Sequence, residues 1–152
     1  MNSRSNRALR FVPALFAGML LCGTLARTPA APPEPTLTQA RQAVAKGLAY
    51  LRRVQEADGS WSQYPATTAL ALAGFLRNGR TERNEPAVAN GIKYILRSVK
   101  PNGAIYSDAN AATALPNYNT SLCVMALALT KNPAYKPIIV KAQQYLEKSQ
   151  FD

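Results

Sequence analysis

A helical segment ending in a Gly-centred turn occurs twice in this chain, in strict register. Ala43-Val-Ala-Lys-Gly47-Leu-Ala-Tyr50-Leu-Arg-Arg53 lies over Ala87-Val-Ala-Asn-Gly91-Ile-Lys-Tyr94-Ile-Leu-Arg97 without a gap. The same offset carries Asp58-Gly59 onto Asn102-Gly103. A third copy of the helix begins late in the chain, where Tyr145-Leu146 and Gln150 match Tyr50-Leu51 and Gln55. A period of about 40–50 residues is the signature of stacked helical hairpins, because one hairpin cannot bury its own apolar face. This repeat excludes most folds available to a chain of 152 residues.

The turn after the first copy reads Gln55-Glu-Ala-Asp58-Gly59-Ser60-Trp61. Gly admits the positive φ that a sharp exit from a helix requires. The Asp side chain can accept from backbone amides just beyond it. Gln55 and Trp61 offer an amide and an indole with which neighbouring hairpins can be tied together. The second turn, Asn102-Gly103-Ala104-Ile105-Tyr106, keeps the glycine and an Asx residue but has no tryptophan. Gln55, Asp58, Gly59, Trp61, Asn102 and Gly103 are therefore expected to be structural.

Between the turns the chain predicts alternating amphipathic and uniformly apolar helices. Thr36-Leu-Thr-Gln39 has capping-box spacing. The stripe Ala40, Val44, Leu48, Leu51 and Val54 predicts a helix with one buried face, ending before Asp58. Thr67-Thr68 opens a second helix running to Leu76 without a charge and closed by Asn78-Gly79, which predicts burial on all sides. Asn84-Glu85-Pro86 starts the third helix. Asn119-Thr120 opens the fourth, and Asn132-Pro133 the fifth, with a stripe at Ile138, Ile139, Ala142, Tyr145 and Leu146.

A Gln-x-x-Asp-Gly-Ser-Trp turn between an amphipathic and an apolar helix resembles the repeat of squalene and terpenoid cyclases. It is also similar to the repeats of protein prenyltransferase β subunits. The resemblance covers about residues 38–152. It implies an all-α fold of helical hairpins forming part of an α/α toroid, with outer and inner helix layers around an apolar cavity. It also implies transferase or cyclase chemistry on an isoprenoid-type substrate. The catalytic residues of these families do not carry over. Asp-x-Asp-Asp and Asp-Asp-x-x-Asp runs do not occur, and the absence of histidine removes a zinc set of Asp, Cys and His. No catalytic residue, metal or cofactor is assigned.

The first thirty residues belong to a different problem. Arg4, Arg7 and Arg10 precede the apolar run Phe11–Leu21, and small residues follow at Ala26 and Ala30. That order predicts a secretory signal over 1–30, a proline-rich linker over 31–36 and a repeat domain over 37–152. An uncleaved membrane anchor, or lipid on Cys22, are the alternatives. Export predicts a periplasmic, extracellular or anchored protein whose membrane association runs only through this segment. Without Arg4, Arg7, Arg10 and Arg27 the formal charge falls from +10 to +6. The remaining basic residues are spread along helices, which suits solvated faces rather than nucleic-acid binding. Loss of Cys22 leaves Cys123 alone, hence no internal disulfide.

Seven residues sit where the apolar helices begin: Tyr64, Thr67, Thr68, Tyr118, Asn119, Thr120 and Cys123. Hydroxyls and amides converging on apolar walls suit a pocket for an apolar small molecule or a peptide. Helix capping and packing are the alternative. Asp108 is a candidate acid in the long loop, and Asn119-Thr-Ser121 is a glycosylation sequon. The sequence ends inside its third turn, so the expected ring is incomplete. It is expected either to continue in a longer reading frame or to complete its core by self-association. The functional expectations are an exported cyclase-like or prenyltransferase-like repeat protein, or a non-catalytic binding or scaffold module of the same architecture.

Overall fold

Thr36 and Gln39 open the first helix by a reciprocal box. The Thr36 hydroxyl accepts from the Gln39 amide at 3.3 Å, and the Thr36 amide donates to Gln39 Oε1 at 2.8 Å. The protein is described by a computed structural model over residues 36–108 and 114–150. The expected signal, Cys22, the linker before Thr36 and Phe151-Asp152 lie outside the described residues. The helices are α1 (Leu37–Arg53), α2 (Pro65–Arg77), α3 (Pro86–Arg97), α4 (Pro116–Leu129) and α5 (Lys136–Lys148). A 3-10 turn, Pro133–Tyr135, leads into α5, with Asn132 accepting from the Ala134 amide at 3.1 Å. No strand occurs among the described residues; Val99 and Ile105 form one isolated antiparallel bridge. The chain is all-α.

The core lies between α2, α3 and α4. Phe75, Leu72, Val88, Ile92, Ile95, Ile105, Cys123 and Leu127 are all essentially inaccessible. Each large apolar side chain so placed contributes about 1.5–3 kcal/mol relative to exposure. The helices α2, α3 and α4 begin with proline in the first turn, where its missing N–H costs nothing and its fixed φ suits the helix.

Three expectations are corrected, two of them by burial. Of the α1 stripe, Leu48 alone is buried and Leu51 partly so, while Ala40, Val44 and Val54 are exposed. The helical period is present, but no described element covers that face. Nor is α2 enclosed: Thr67 is exposed and Leu70 is 50% exposed, so an uncharged helix here still has an open side. Both apolar helices also start earlier than Thr67 and Asn119, at Pro65 and Pro116, because the prolines rather than the hydroxyls set the first turn.

Candidate functional site

The two turns have the same internal hydrogen bonds. In the first, the Glu56 amide donates to Ser60 O and the Gly59 amide to Glu56 O, both at 2.9 Å. In the second, Lys100 donates to Ala104 O at 2.7 Å and Gly103 to Lys100 O at 2.9 Å. Asp58 Oδ1 accepts from the Ser60 amide at 2.9 Å and from its hydroxyl at 2.6 Å. Asn102 Oδ1 accepts from the Ala104 amide at 3.1 Å. Gly59 and Gly103 have φ of +89° and +94°, a region that other residues enter only with strain. The Ser60 hydroxyl, then its amide, holds the Asp58 carboxyl below its ordinary pKa, since both stabilise the charged form.

Each turn is then pinned to the helix that follows it. The Trp61 amide donates to Thr68 Oγ1 at 3.0 Å, and the Thr68 hydroxyl donates to Tyr64 O at 3.0 Å. The Ile105 amide donates to Thr120 Oγ1 at 2.9 Å, and the Thr120 hydroxyl donates to Pro116 O at 2.6 Å. Thr68 and Thr120 are fully buried, and both lone-pair and proton capacity are spent on backbone. Ile105 thus stands where Trp61 stands in the first copy, a substitution legible in the sequence from the gapless register alone.

The turns also hold the next helix in the chain. Gln55 Nε2 donates to Gly59 O at 3.0 Å and to Ala87 O of α3 at 2.9 Å. Arg97 Nη2 of α3 donates to Asp58 O at 2.6 Å. The Trp61 indole is 3% exposed and donates to Leu51 O of α1 at 2.9 Å. Its ring is 6.1 Å from Phe75, tilted 41°. A methyl on Gly91 would come within 3.0 Å of Trp61 Cζ3 and 2.9 Å of Leu72 Cδ2. A methyl on Gly59 would lie 2.4 Å from Asn90 O, and one on Gly103 would lie 2.5 Å from Lys141 O of α5. Asn90 and Lys141 were not singled out from sequence, and Gly91 and Arg97 only as matched positions of the repeat. The signal that could have found them is the repeat register, which sets each helix against the preceding turn.

Of the seven candidate pocket residues, Asn119 and Cys123 both meet the Pro65-Ala66 start of α2, Thr68 and Thr120 hold the turns, and Thr67 and Tyr118 are exposed. Asn119 is buried, accepts from the Ala66 amide of α2 at 2.8 Å and donates to Ala114 O at 2.6 Å. It satisfies an N-terminal amide of a neighbouring helix, and this packing leaves no room for a glycan on the sequon. Cys123 is buried, contacts Pro65 O at 3.6 Å, and burial pushes its thiol up to about 12. It is a packed thiol, not a nucleophile, at neutral pH. Thr67 is exposed, Tyr118 is 51% exposed and Tyr64 is half-buried. An open cleft of about 700 Å³ runs past Leu115, Tyr118, Tyr145 and Lys148, but Thr68, Asn119, Thr120 and Cys123 are not in its walls.

Two ion pairs form between described residues. Glu85 is 5% exposed and takes Arg52 Nε at 3.0 Å and Nη2 at 2.5 Å. The Arg52 hydrogen bonds hold its carboxyl below the ordinary range against the opposing cost of burial. The Arg52 guanidinium also lies 5.5 Å from the Phe75 ring centre. Asp108 pairs with Lys100, whose ammonium lies 4.7 Å from the Tyr106 ring centre. No group of three His, Cys, Asp or Glu side chains suited to a metal ion occurs among the described residues. No described helix is long and apolar enough to cross a membrane. No protein-family model matches this chain, and no solved structure matches it.

Proposed function

We propose that this chain is an exported binding and scaffold module, built from helical hairpins of the squalene-cyclase and prenyltransferase type. In this reading α1, α3 and α5 form the outer layer of an α/α toroid, and α2 and α4 the inner layer. The observation that supports it is the commitment of the polar side chains at the apolar-helix entrances. Thr68, Asn119 and Thr120 are buried and spend their hydrogen bonds on backbone groups, which suits them to hold hairpins in register. Binding then falls to exposed helix faces.

The second reading is transferase or cyclase chemistry on an isoprenoid-type apolar substrate. The Gln55-to-Trp61 turn favours it through its resemblance to those families. An Asp-rich or Asp/Cys/His set contributed from outside the described residues is what this reading needs.

The deciding experiment incubates the purified protein with polyprenyl diphosphates and with squalene-type polyenes, with and without Mg²⁺, and analyses products by mass spectrometry. The scaffold reading expects the substrates to be recovered unchanged. Any cyclised, hydrolysed or transferred product overturns it. Export is tested separately by fusing residues 1–36 to a reporter lacking its own signal, with the reporter expected outside the cytoplasm.

A further inference from the structure

Three helices carry the same face in repeat register, and two of them have a turn seated on it. On α3 the occupant is the Gln55-to-Trp61 turn. Ala87 O takes the Gln55 amide, Arg97 reaches Asp58 O, and Gly91 lies beneath the indole. On α5 the occupant is the second turn, with Gly103 against Lys141 O and Ala142 fully buried.

On α1 the equivalent face is Ala43, Gly47, Tyr50 and Arg53, identical in residue type to Ala87, Gly91, Tyr94 and Arg97. It is uncovered. Tyr50 is 55% exposed where Tyr94 is 8% exposed, and nothing lies within 4 Å of a methyl built on Gly47. Its charge arrangement is already in place: the Arg53 guanidinium lies 5.4 Å from the Tyr50 ring centre, as Arg97 lies 6.0 Å from that of Tyr94.

We infer that the Ala43–Arg53 face of α1 is a docking site for a Gly-x-Trp helix-end turn of a partner polypeptide. The choice of occupant rests on continuity with the interface already formed on α3, and on the identity of one residue. A mid-helix glycine weakens a helix relative to alanine, so Gly47 is a liability unless something needs the space. The α3 position that receives the Trp61 indole is glycine, and a methyl there would clash. The α5 position in the same register, paired with the turn that carries Ile105, is Ala142. Glycine at 47 therefore matches an aromatic occupant, and Arg53 matches a turn with a free backbone carbonyl. Trp61, the one tryptophan of the sequence, is already seated on α3. The occupant accordingly comes from outside these 152 residues. This rests on the scaffold reading above and names its partner surface.

The test is a titration of the isotope-labelled chain with a cyclised peptide spanning residues 54–63 of this same sequence, cyclised to limit the cost of ordering a short chain. Saturable amide shifts are expected at Gly47, Tyr50 and Arg53. Replacing Trp by Ala in the peptide is expected to weaken binding about tenfold or more, as for a central aromatic anchor. Gly47→Ala in the protein is expected to weaken binding about tenfold by filling the indole space while raising the thermal midpoint of the free chain. A residue that is merely structural cannot give that opposition.

No saturable shift on this face, equal binding of the Trp→Ala peptide, or shifts confined to the neighbouring groove at Leu37, Val44 and Arg80 overturns the proposal. A concentration-dependent mass abolished by Gly47→Leu also overturns it, since a second copy is then the occupant. Absent peptide binding with untouched polyprenyl substrates sinks the docking site alone. Substrate turnover sinks the scaffold reading and the docking site with it.

Discussion

Gly47 and Gly91 are the same residue in the same local sequence, and their environments make them opposites. Adding a methyl to Gly91 forces Leu72 or Trp61 to move, an overpacking expected to cost about 1–3 kcal/mol. Adding one to Gly47 meets open space and is expected to stabilise by about 0.5–1 kcal/mol through helix propensity. Urea unfolding of Gly47→Ala and Gly91→Ala checks both signs, and midpoints that move the same way would be incompatible with this packing. Gly59 is more constrained still, because positive φ and the Asn90 carbonyl both exclude a side chain. Cys123 gives a chemical check at the same scale. With its thiol buried and pushed up to about 12, it is expected to react with a thiol reagent only after unfolding. Rapid labelling of the native chain at neutral pH would contradict this.

At the scale of elements, a threonine hydroxyl joins each turn to the helix after it. Thr68→Val and Thr120→Val keep shape but leave the Trp61 or Ile105 amide buried without an acceptor. Each is expected to cost about 1–3 kcal/mol, with Thr→Ser recovering most of it. Thermal denaturation of the four variants is the measurement, and Val variants as stable as Ser variants would refute the hydroxyl's role. Asn119 acts between elements rather than within one, since it supplies the acceptor for Ala66 at the start of α2. The sequence showed an amide at a helix start, a residue type that usually caps its own helix. That it serves a neighbour depends on the approach of α4 to α2, which no local pattern encodes.

At the scale of the molecule, four of the eight large apolar side chains exposed among the described residues lie on α1 or at its C-cap. Leu37, Val44, Tyr50 and Val54 there are all more than a third exposed, whereas the equivalent α3 face is buried by a preceding turn. The link between α1 and α3 is partly electrostatic and so depends on pH. Glu85 has a carboxyl pKa held below its ordinary 4.5 by Arg52. A depressed acid stabilises the fold above its unfolded pKa, and that contribution is lost as pH falls through the lower folded value. Stability is therefore expected to decline below about pH 4.5, and Glu85→Gln to flatten that decline while lowering stability at neutral pH. Unfolding midpoints between pH 3 and pH 7 check the sign; an unchanged acid limb in the variant would assign the decline to other groups.

The sequence by itself determined the all-α class, the register of the three repeated helices and the positions of both turns. Those follow from local rules: a 3.6-residue period, glycine where φ must be positive, proline in a first turn and an Asx acceptor beside it. It also showed that these 152 residues supply no histidine to any site, because composition alone decides that. Tertiary structure decided what each repeated residue does. Identical Ala-Val-Ala-x-Gly-x-x-Tyr segments are buried in α3 and open in α1 because burial depends on which turn arrives from elsewhere in space. The candidate pocket residues took different partners for the same reason: Asn119 and Cys123 meet the start of α2, while Thr68 and Thr120 bind the turns. Being near a helix start in sequence places a hydroxyl or amide on the helix, but the neighbouring backbone chooses whether it faces a cavity, solvent or an unpaired amide.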